Sequence, residues 1–478
     1  MKKVLFKGFN KTALFTLIFI AISFFLFGTE FLSWFYILGE HFPADDVYLI
    51  GKVGGYFCQA LGMLACGICV AKLPREFICS RYIPVSVIAA ELLSVSAVFF
   101  LDKPVLIVVL GYFFNIVCGI HFGIYITMLA AGISLQSRGI VMGAGTALGS
   151  VGSWIVSGFA GSDFLRNRNV LIVYASFTAL GIILLMLTKL RVIPERDGLT
   201  DHIKRNASAY RDMKKTVILL GSIVFLFGMI NDLSNSFPTG DAIGGVVPVE
   251  LARLFHAAGL IIAGILSDIN RKSGAISCLI LLIVPFVLFA LRDYGKSEFI
   301  TISIFYLIGA FYSVFRVLSF ADLADEGAEY LFVAGGGLIC GRLGECAGAA
   351  INTYFGNNML ILVTSAGILF VLSVILFVIW QSKKDEIRIK RAAGIEIVSE
   401  SKEDLPDKED FARKYNISAR EMEVFDLILE GCSNSEISRR LYISENTVKF
   451  HIKNILRKTG STNRIELTAQ FNGGFVNK

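Results

Sequence analysis

The chain has 478 residues, 55% of them hydrophobic and 18% charged, whereas about a quarter of a soluble globular domain is charged. That composition argues against a soluble enzyme. The net charge of +6 does not mark the whole chain as a nucleic-acid binder, because a membrane protein needs basic residues at its cytoplasmic face in any case.

The apolar excess is uneven. Residues 12–380 are dominated by long apolar runs, and the sequence from Gln381 has the texture of a water-soluble protein. The N-terminus is basic (Lys2, Lys3, Lys7, Lys11) and enters an apolar run that continues through Glu30 to about Ile37. The run is long enough to span a bilayer and lacks a small-x-small cleavage pattern, so a retained first helix is expected rather than a signal peptide.

Apolar windows then recur near 12–37, 47–71, 82–101, 104–133, 139–161, 169–188, 216–236, 245–267, 274–291, 298–320, 330–354 and 359–380. They predict a polytopic bundle of twelve helices in two sets of six, separated by the longest polar connection, 189–215, which carries Arg191, Arg196, Lys204, Arg205, Arg211 and Lys214. Starting from a cytoplasmic N-terminus, alternation puts Lys72, Arg75, Arg81, Arg138, the central connection, Arg271 and Lys272 inside. The acidic connections 40–46 and 232–241 fall outside. An even number of spans returns the tail to the cytoplasm.

Nine cysteines make an odd number, and most fall within the windows, where a thiol behaves as a small apolar residue. Cys66-x-x-Cys69 has a redox or metal spacing but no accompanying His or second Cys pair, so packing is expected, with no disulfide and no metal. No phosphate loop, nucleophile motif or cofactor signature occurs, and neither a catalytic residue nor a cofactor is predicted.

Ten ionisable residues lie within the windows: Glu30, Lys52, Glu91, His121, Glu250, Arg253, His256, Arg316, Arg342 and Glu345. A charge facing lipid costs at least about 2.5 to 3.5 kcal/mol, so these should face the bundle interior and find partners. Glu250 with Arg253 and Arg342 with Glu345 share helix faces at i,i+3. Either such pairs lock helices together, or they form a ligand cavity for which Glu30, Glu250, Arg253, Arg316, Arg342 and Glu345 are the candidates. Glycines at 139, 143, 145 and 149 and at 335–337, 341 and 344 suit close helix contact.

The eighth window ends in Gly264-Ile-Leu-Ser-Asp-Ile-Asn-Arg-Lys272, where Asp268 can cap a neighbouring helix and pair with Arg271 or Lys272. This segment, with two six-helix sets around a basic connection, resembles the major facilitator superfamily and its Gly-x-Leu-x-Asp-x-x-x-Arg loop. The first half departs from that pattern, with Gly67-Ile-Cys-Val-Ala-Lys-Leu-Pro-Arg75 and no aspartate at the equivalent place. The resemblance implies that the first and tenth helices, with Glu30 and Arg316, line a central space.

After the last window, Lys383, Lys384, Arg388, Lys390 and Arg391 suit an anchor at the lipid headgroups. The expected domains are 1–382 in the membrane, a charged linker over 383–416 with a reach of about 30 Å if flexible, and a small soluble domain over 417–478. Ser418 with Glu421, Ser433 with Glu436, and Asn463 with Glu466 have capping-box spacing, and Ser444 caps a further helix. Helices are predicted over 419–430, 434–441, 445–458 and 464–471. In the third, Val448, Ile452, Ile455 and Leu456 form an apolar face, while Asn446, Lys449, Phe450, Lys453 and Arg457 form a basic one. Two short helices joined by Tyr442-Ile443-Ser444 make a helix-turn-helix.

The segment ISAREMEVFDLILEGCSNSEISRRLYISENTVKFHIKNILRKTGSTNRIEL closely resembles the LuxR-type, or NarL- and GerE-type, four-helix DNA-binding domain. Signature positions include Glu421, Gly431, Glu436, Ile437, Thr447, Val448, Lys449, His451, Lys458 and Gly460; Ala419, Ser438 and Thr459 depart from the pattern. The resemblance implies that Lys449, Phe450 and Lys453 enter the major groove, with Asn446, Thr447, His451 and Arg457 on the backbone or base edges. A homodimer on DNA is expected, with the fourth helix (Ile465, Leu467, Thr468, Phe471) as the contact.

The reading that results is an all-α protein: a membrane-embedded, one-component transcription regulator of a bacterial cytoplasmic membrane. It would be multi-pass with both termini inside, sense a small-molecule ligand through the bundle and bind double-stranded promoter DNA through the tail. The alternative is a secondary transporter with an appended regulatory domain.

Overall fold

Residues Lys11–Gly39 form helix α1, whose 29 residues extend about 43 Å, more than the ~30 Å hydrocarbon core requires. The Asn10 side chain starts it by accepting the Ala13 N–H at 2.9 Å. The rest of the first half is α2 (Ala44–Lys72, interrupted by a π-helical turn at Leu49–Gly54), α3 (Tyr82–Val98), α4 (Pro104–Gly132), α5 (Leu135–Ile155) and α6 (Val170–Leu187). The second half is α7 (Ala207–Asn235), α8 (Val249–Ile269), α9 (Arg271–Leu281), α10 (Glu298–Ala321), α11 (Gly336–Phe355) and α12 (Met359–Ala392). Pro104 stands at the start of α4, where its missing N–H costs nothing, and Asn270 caps α9 by accepting from the amides of Lys272 and Ser273.

This computed structural model describes residues 9–188, 190, 207–235, 249–284, 298–325, 328–355, 358–392, 408–429, 432, 434–461 and 463–471. Among the described residues the regular elements are all helical. Most of the central polar connection lies outside them. Each apolar window is occupied by one of α1–α12, although the ninth window is described only to residue 284. Among the described residues, eight helices are long and apolar enough to cross a membrane by length and composition alone. The multi-glycine, charged α11 is not among them, and it packs against α2 and α7 rather than standing as an independent apolar rod.

The surface of this unit is inverted relative to a soluble protein. Leu93, Val105, Ile172, Leu187 and Leu360 are among its most exposed side chains, while Glu30, Glu91, His121 and Arg138 are buried. The halves meet where α5 packs on α8 and α2 packs on α11. At the first of these meeting points Gly139 and Gly264 oppose each other so closely that a Cβ on either would overlap the other's carbonyl oxygen.

The chain divides into two compact units, Met1–Ile397 and Val398–Lys478. The second contains α13 (Lys408–Tyr415), α14 (Ala419–Leu429), α15 (Asn434–Leu441), α16 (Glu445–Thr459) and α17 (Arg464–Phe471). Helix α13 corrects the reading of 383–416 as a linker throughout. Phe411 stacks on Phe425 at 5.3 Å and meets Phe471 edge-on at 5.1 Å, so this turn belongs to the tail's own core. At the other end of that segment α12 continues helically to Ala392, and Lys384 lies over the ring of Trp380 at 5.1 Å.

Candidate nucleic-acid interface and buried charge cluster

Helix α16 is positioned by its apolar face. Val448 and Ile455 are fully buried, Ile452 nearly so, and they pack with Val424, Phe425, Ile428 and Ile437 in one cluster. Ser444 starts the helix, its Oγ accepting the Thr447 N–H at 3.1 Å, and Gly460 ends it at φ 74°, the left-handed conformation that suits glycine. Burial of one face presents the other: Asn446, Lys449, Phe450, Lys453 and Arg457 lie on the solvent side at varying exposure, with Thr447 and His451 half-buried beside them.

The turn before α16 is also fixed. Tyr442 sits at φ 54° and is 95% exposed, while Ser438 Oγ donates to the Ile443 carbonyl at 2.6 Å. The serine that departs from the family pattern therefore staples the turn. Arg420 ties α14 to the end of α15 through the Leu441 carbonyl at 3.1 Å and forms an ion pair with Glu423.

A buried lock holds α14 to the end of α16. Glu421 Oε2 accepts the Ser418 N–H at 2.8 Å while Ser418 Oγ accepts the Glu421 N–H at 3.3 Å, a reciprocal capping box. Lys458 donates to the same carboxylate at 2.6 Å and to the Asn416 carbonyl at 2.8 Å. Burial alone would raise the pKa of Glu421, but the Lys458 ammonium and the Ser418 bonds outweigh it and hold the carboxyl below its ordinary value. On α17, Leu467 and Phe471 are buried in the domain's own core, which corrects their assignment to a dimer contact.

In the membrane unit the structure brings three candidate cavity residues together. Arg316 on α10 donates to Glu345 Oε1 at 2.5 Å, and Arg342 donates to Glu345 Oε2 at 2.7 Å. The Arg342 guanidinium lies 4.0 Å from the centroid of Tyr56 on α2, and Arg316 lies 4.9 Å from that of Tyr312. Beside them Lys52 on α2 pairs with Asp232 on α7 at 2.5 Å, a second charged contact between the halves. Glu30 is not part of this cluster: it is fully buried, and neither of its oxygens has a hydrogen-bond partner among the described residues. Glu250 and Arg253 lie on α8, but their side chains are outside the described residues. His256 donates through Nδ1 to the Tyr306 carbonyl at 2.9 Å.

One arrangement escaped sequence reasoning entirely, and a second was expected only in its Asp268 helix cap and Asp268–Arg271 pair. In the first half, His121 Nδ1 lies 2.5 Å from Glu91 Oε2 and its Nε2 lies 2.9 Å from Ser23 Oγ. Ser23 gives its one proton to the Phe19 carbonyl at 2.8 Å, so Nε2 is the donor to Ser23. Cys118 adds a thiol bond to Glu91 Oε1 at 3.2 Å. The second is a latch between the halves. Asp268 accepts the amides of Gly139 and Ile140, both at 2.7 Å, and pairs with Arg271 at 2.9 Å. Arg271 reaches Asp322 at 2.7 Å, and Asp322 is held at 2.8 Å by the fully buried Arg138, which also bonds the carbonyls of Ala130 and Ile133.

The second unit contains a domain similar to the LuxR-type regulators, and the first has a fold found in solved transporters. Residues 415–471 match the family of bacterial regulatory proteins, luxR family. Over 56 residues, 12% of this chain and 27% of the relative, the tail is 45% identical to a nitrate/nitrite response regulator protein homolog of Haemophilus influenzae. It is 44% identical over 54 residues to the monoamine regulon transcriptional regulator of Klebsiella aerogenes, covering 11% of this chain and 24% of that one. The quorum-sensing regulator RhlR of Pseudomonas aeruginosa is 31% identical over 121 residues, 25% of this chain and 47% of its own. The chain therefore spans less than half the length of these curated relatives. The membrane unit shares its fold with solved transporters. These are the nucleoside transporter NupG, at TM-score 0.50 and 14% identity (77% of this chain, 99% of that one), and a POT family transporter in complex with 5-aminolevulinic acid, at TM-score 0.56 and 12% identity (81% and 99%).

Proposed function

We propose that the protein is a membrane-embedded transcription regulator, without catalytic activity, that binds promoter DNA through α16 and senses a small molecule through the helical bundle. The observation that carries this reading is the solvent-facing Lys449, Phe450, Lys453 and Arg457 side of a helix whose opposite face is the domain core. The excess of basic residues in alternate connections supports a cytoplasmic placement of both termini and the tail at a bacterial cell membrane, on the side where DNA is. A single small reading unit binds weakly, so two tails act as a homodimer on paired half-sites.

Sensing requires two bundle states of different ligand affinity. The Asp268–Arg271–Asp322–Arg138 latch supplies the bistable element: it closes one end between the halves, and a ligand that favours its opening shifts how the tails pair.

Crosslinking the intact protein to DNA in cells and sequencing the bound fragments tests the reading. Discrete promoter peaks that vanish in the Lys449→Ala, Lys453→Ala double variant support it. Absence of enriched sites, together with substrate uptake by the purified membrane unit in liposomes, supports a transporter with an appended domain instead.

A further inference from the structure

Among the described residues, buried charge between the halves does not sum to zero. Lys52 and Asp232 cancel, but Glu345 faces two guanidiniums, and both of its oxygens are already taken, one by Arg316 and one by Arg342. The buried carboxylates of the first half give no help. Glu91 is engaged by His121 and Cys118, and no described guanidinium reaches either oxygen of Glu30. One positive charge is left over in a region where Arg316 and Arg342 keep less than a tenth of their surface.

An unpaired charge so placed is costly, and Nε of both arginines is buried without an acceptor among the described residues. Each guanidinium has five donors in a planar fork suited to a carboxylate, and Glu345 uses one bond from each. The surroundings are aromatic. The Arg342 guanidinium lies over the rings of Tyr56 and, at 5.9 Å, Phe27, and that of Arg316 over the ring of Tyr312.

We propose that the Arg316–Glu345–Arg342 cluster is the binding site for an organic monocarboxylate with an aromatic or planar body, its carboxylate on the two guanidiniums and its body against Tyr56 and Tyr312. This proposal rests on the sensor reading of the membrane unit and names the class of its ligand. The anion brings the buried charge to zero, and because Tyr56 belongs to the first half and both arginines to the second, its occupancy couples directly to how the halves meet.

The test uses the full chain in detergent, with unfolding followed by tryptophan fluorescence. Sodium benzoate, neutral benzamide and sodium chloride are compared at equal millimolar concentration. Benzoate is expected to raise the Tm by roughly 3 °C or more above chloride, and benzamide to give no such rise. Arg316→Gln and Arg342→Gln each remove the excess charge; both should lose the benzoate response yet unfold, in benzoate-free buffer, no earlier than the parent. Arg342→Lys, which keeps the charge but not the fork, should retain a reduced response. Equal effects of benzoate and benzamide, no benzoate effect beyond chloride, or an undiminished response in both glutamine variants would overturn the proposal. Promoter occupancy that responds to a different compound would leave the regulator reading standing while this ligand assignment fell.

Discussion

Asp268, at the end of α8 in the second half, accepts the backbone N–H of Gly139 on α5 of the first half at 2.7 Å. The same carboxylate takes the Ile140 N–H and pairs with Arg271, so one side chain ties the start of a helix in one half to the end of a helix in the other. Asp268→Asn keeps the shape but weakens two charge-assisted bonds and the ion pair. The variant should lose about 1–3 kcal/mol and unfold several degrees lower, read by tryptophan fluorescence of the full chain. An unchanged Tm would mean that these contacts do not hold the halves together.

Lys449 and Lys453 project from the solvent face of α16, opposite Val448 and Ile452. Lys449→Ala with Lys453→Ala should leave the unfolding temperature of residues 398–478 unchanged while DNA affinity falls. The dependence of log affinity on log salt should flatten by about 0.9 for each phosphate that the variant no longer neutralises. Fluorescence anisotropy at several salt concentrations measures both, and a lowered Tm instead would assign the lysines to structure.

Phe411 is 6% exposed and packs between Phe425 and Phe471. Phe411→Ala should destabilise residues 398–478 by about 3–5 kcal/mol in urea unfolding. A fragment beginning at residue 417 should be similarly weakened. Equal stability of that fragment would mean that α13 rests on the domain without supporting it.

The Glu421 carboxyl is held below its ordinary value by Lys458 and Ser418. For a depressed carboxyl the stabilisation is fully present above the unfolded-state value, about pH 4.3, and is lost as pH falls through the folded-state value. Residues 398–478 should therefore lose stability on acidification below that point, and Glu421→Gln should flatten the loss. A parallel pH profile in the variant would place the acid sensitivity elsewhere.

The helices of the tail were legible because their signals are local. Ser418, Ser444 and Gly460 mark ends within one residue of those observed, and Val448, Ile452 and Ile455 repeat at helical spacing. Helix α13 was missed because its few residues are mostly charged, and Phe411, with Ala412 and Tyr415 beside it, is too short an apolar signal to stand out. In the bundle the apolar windows located the helices, and spacing gave the pairs one turn apart, Arg342 with Glu345 and Asp268 with Arg271, but not the charge partners that lie on other helices. Arg342 and Glu345 are one turn apart, whereas Arg138 and Asp322 are separated by 184 residues, and no local pattern encodes such a pairing. Lys52 on α2 and Asp232 on α7 likewise meet only where the two halves come together.

On the proposed function, the state of the membrane unit governs DNA binding by the tail. The most direct measurement is genome-wide crosslinked DNA occupancy of the full chain with and without Asp268→Asn, at equal protein level, with the DNA affinity of residues 398–478 measured separately. Discrete promoter peaks are expected, with heights that change in the variant at unchanged tail affinity. Peaks of identical height in both proteins, or no peaks in either, would contradict the proposed function.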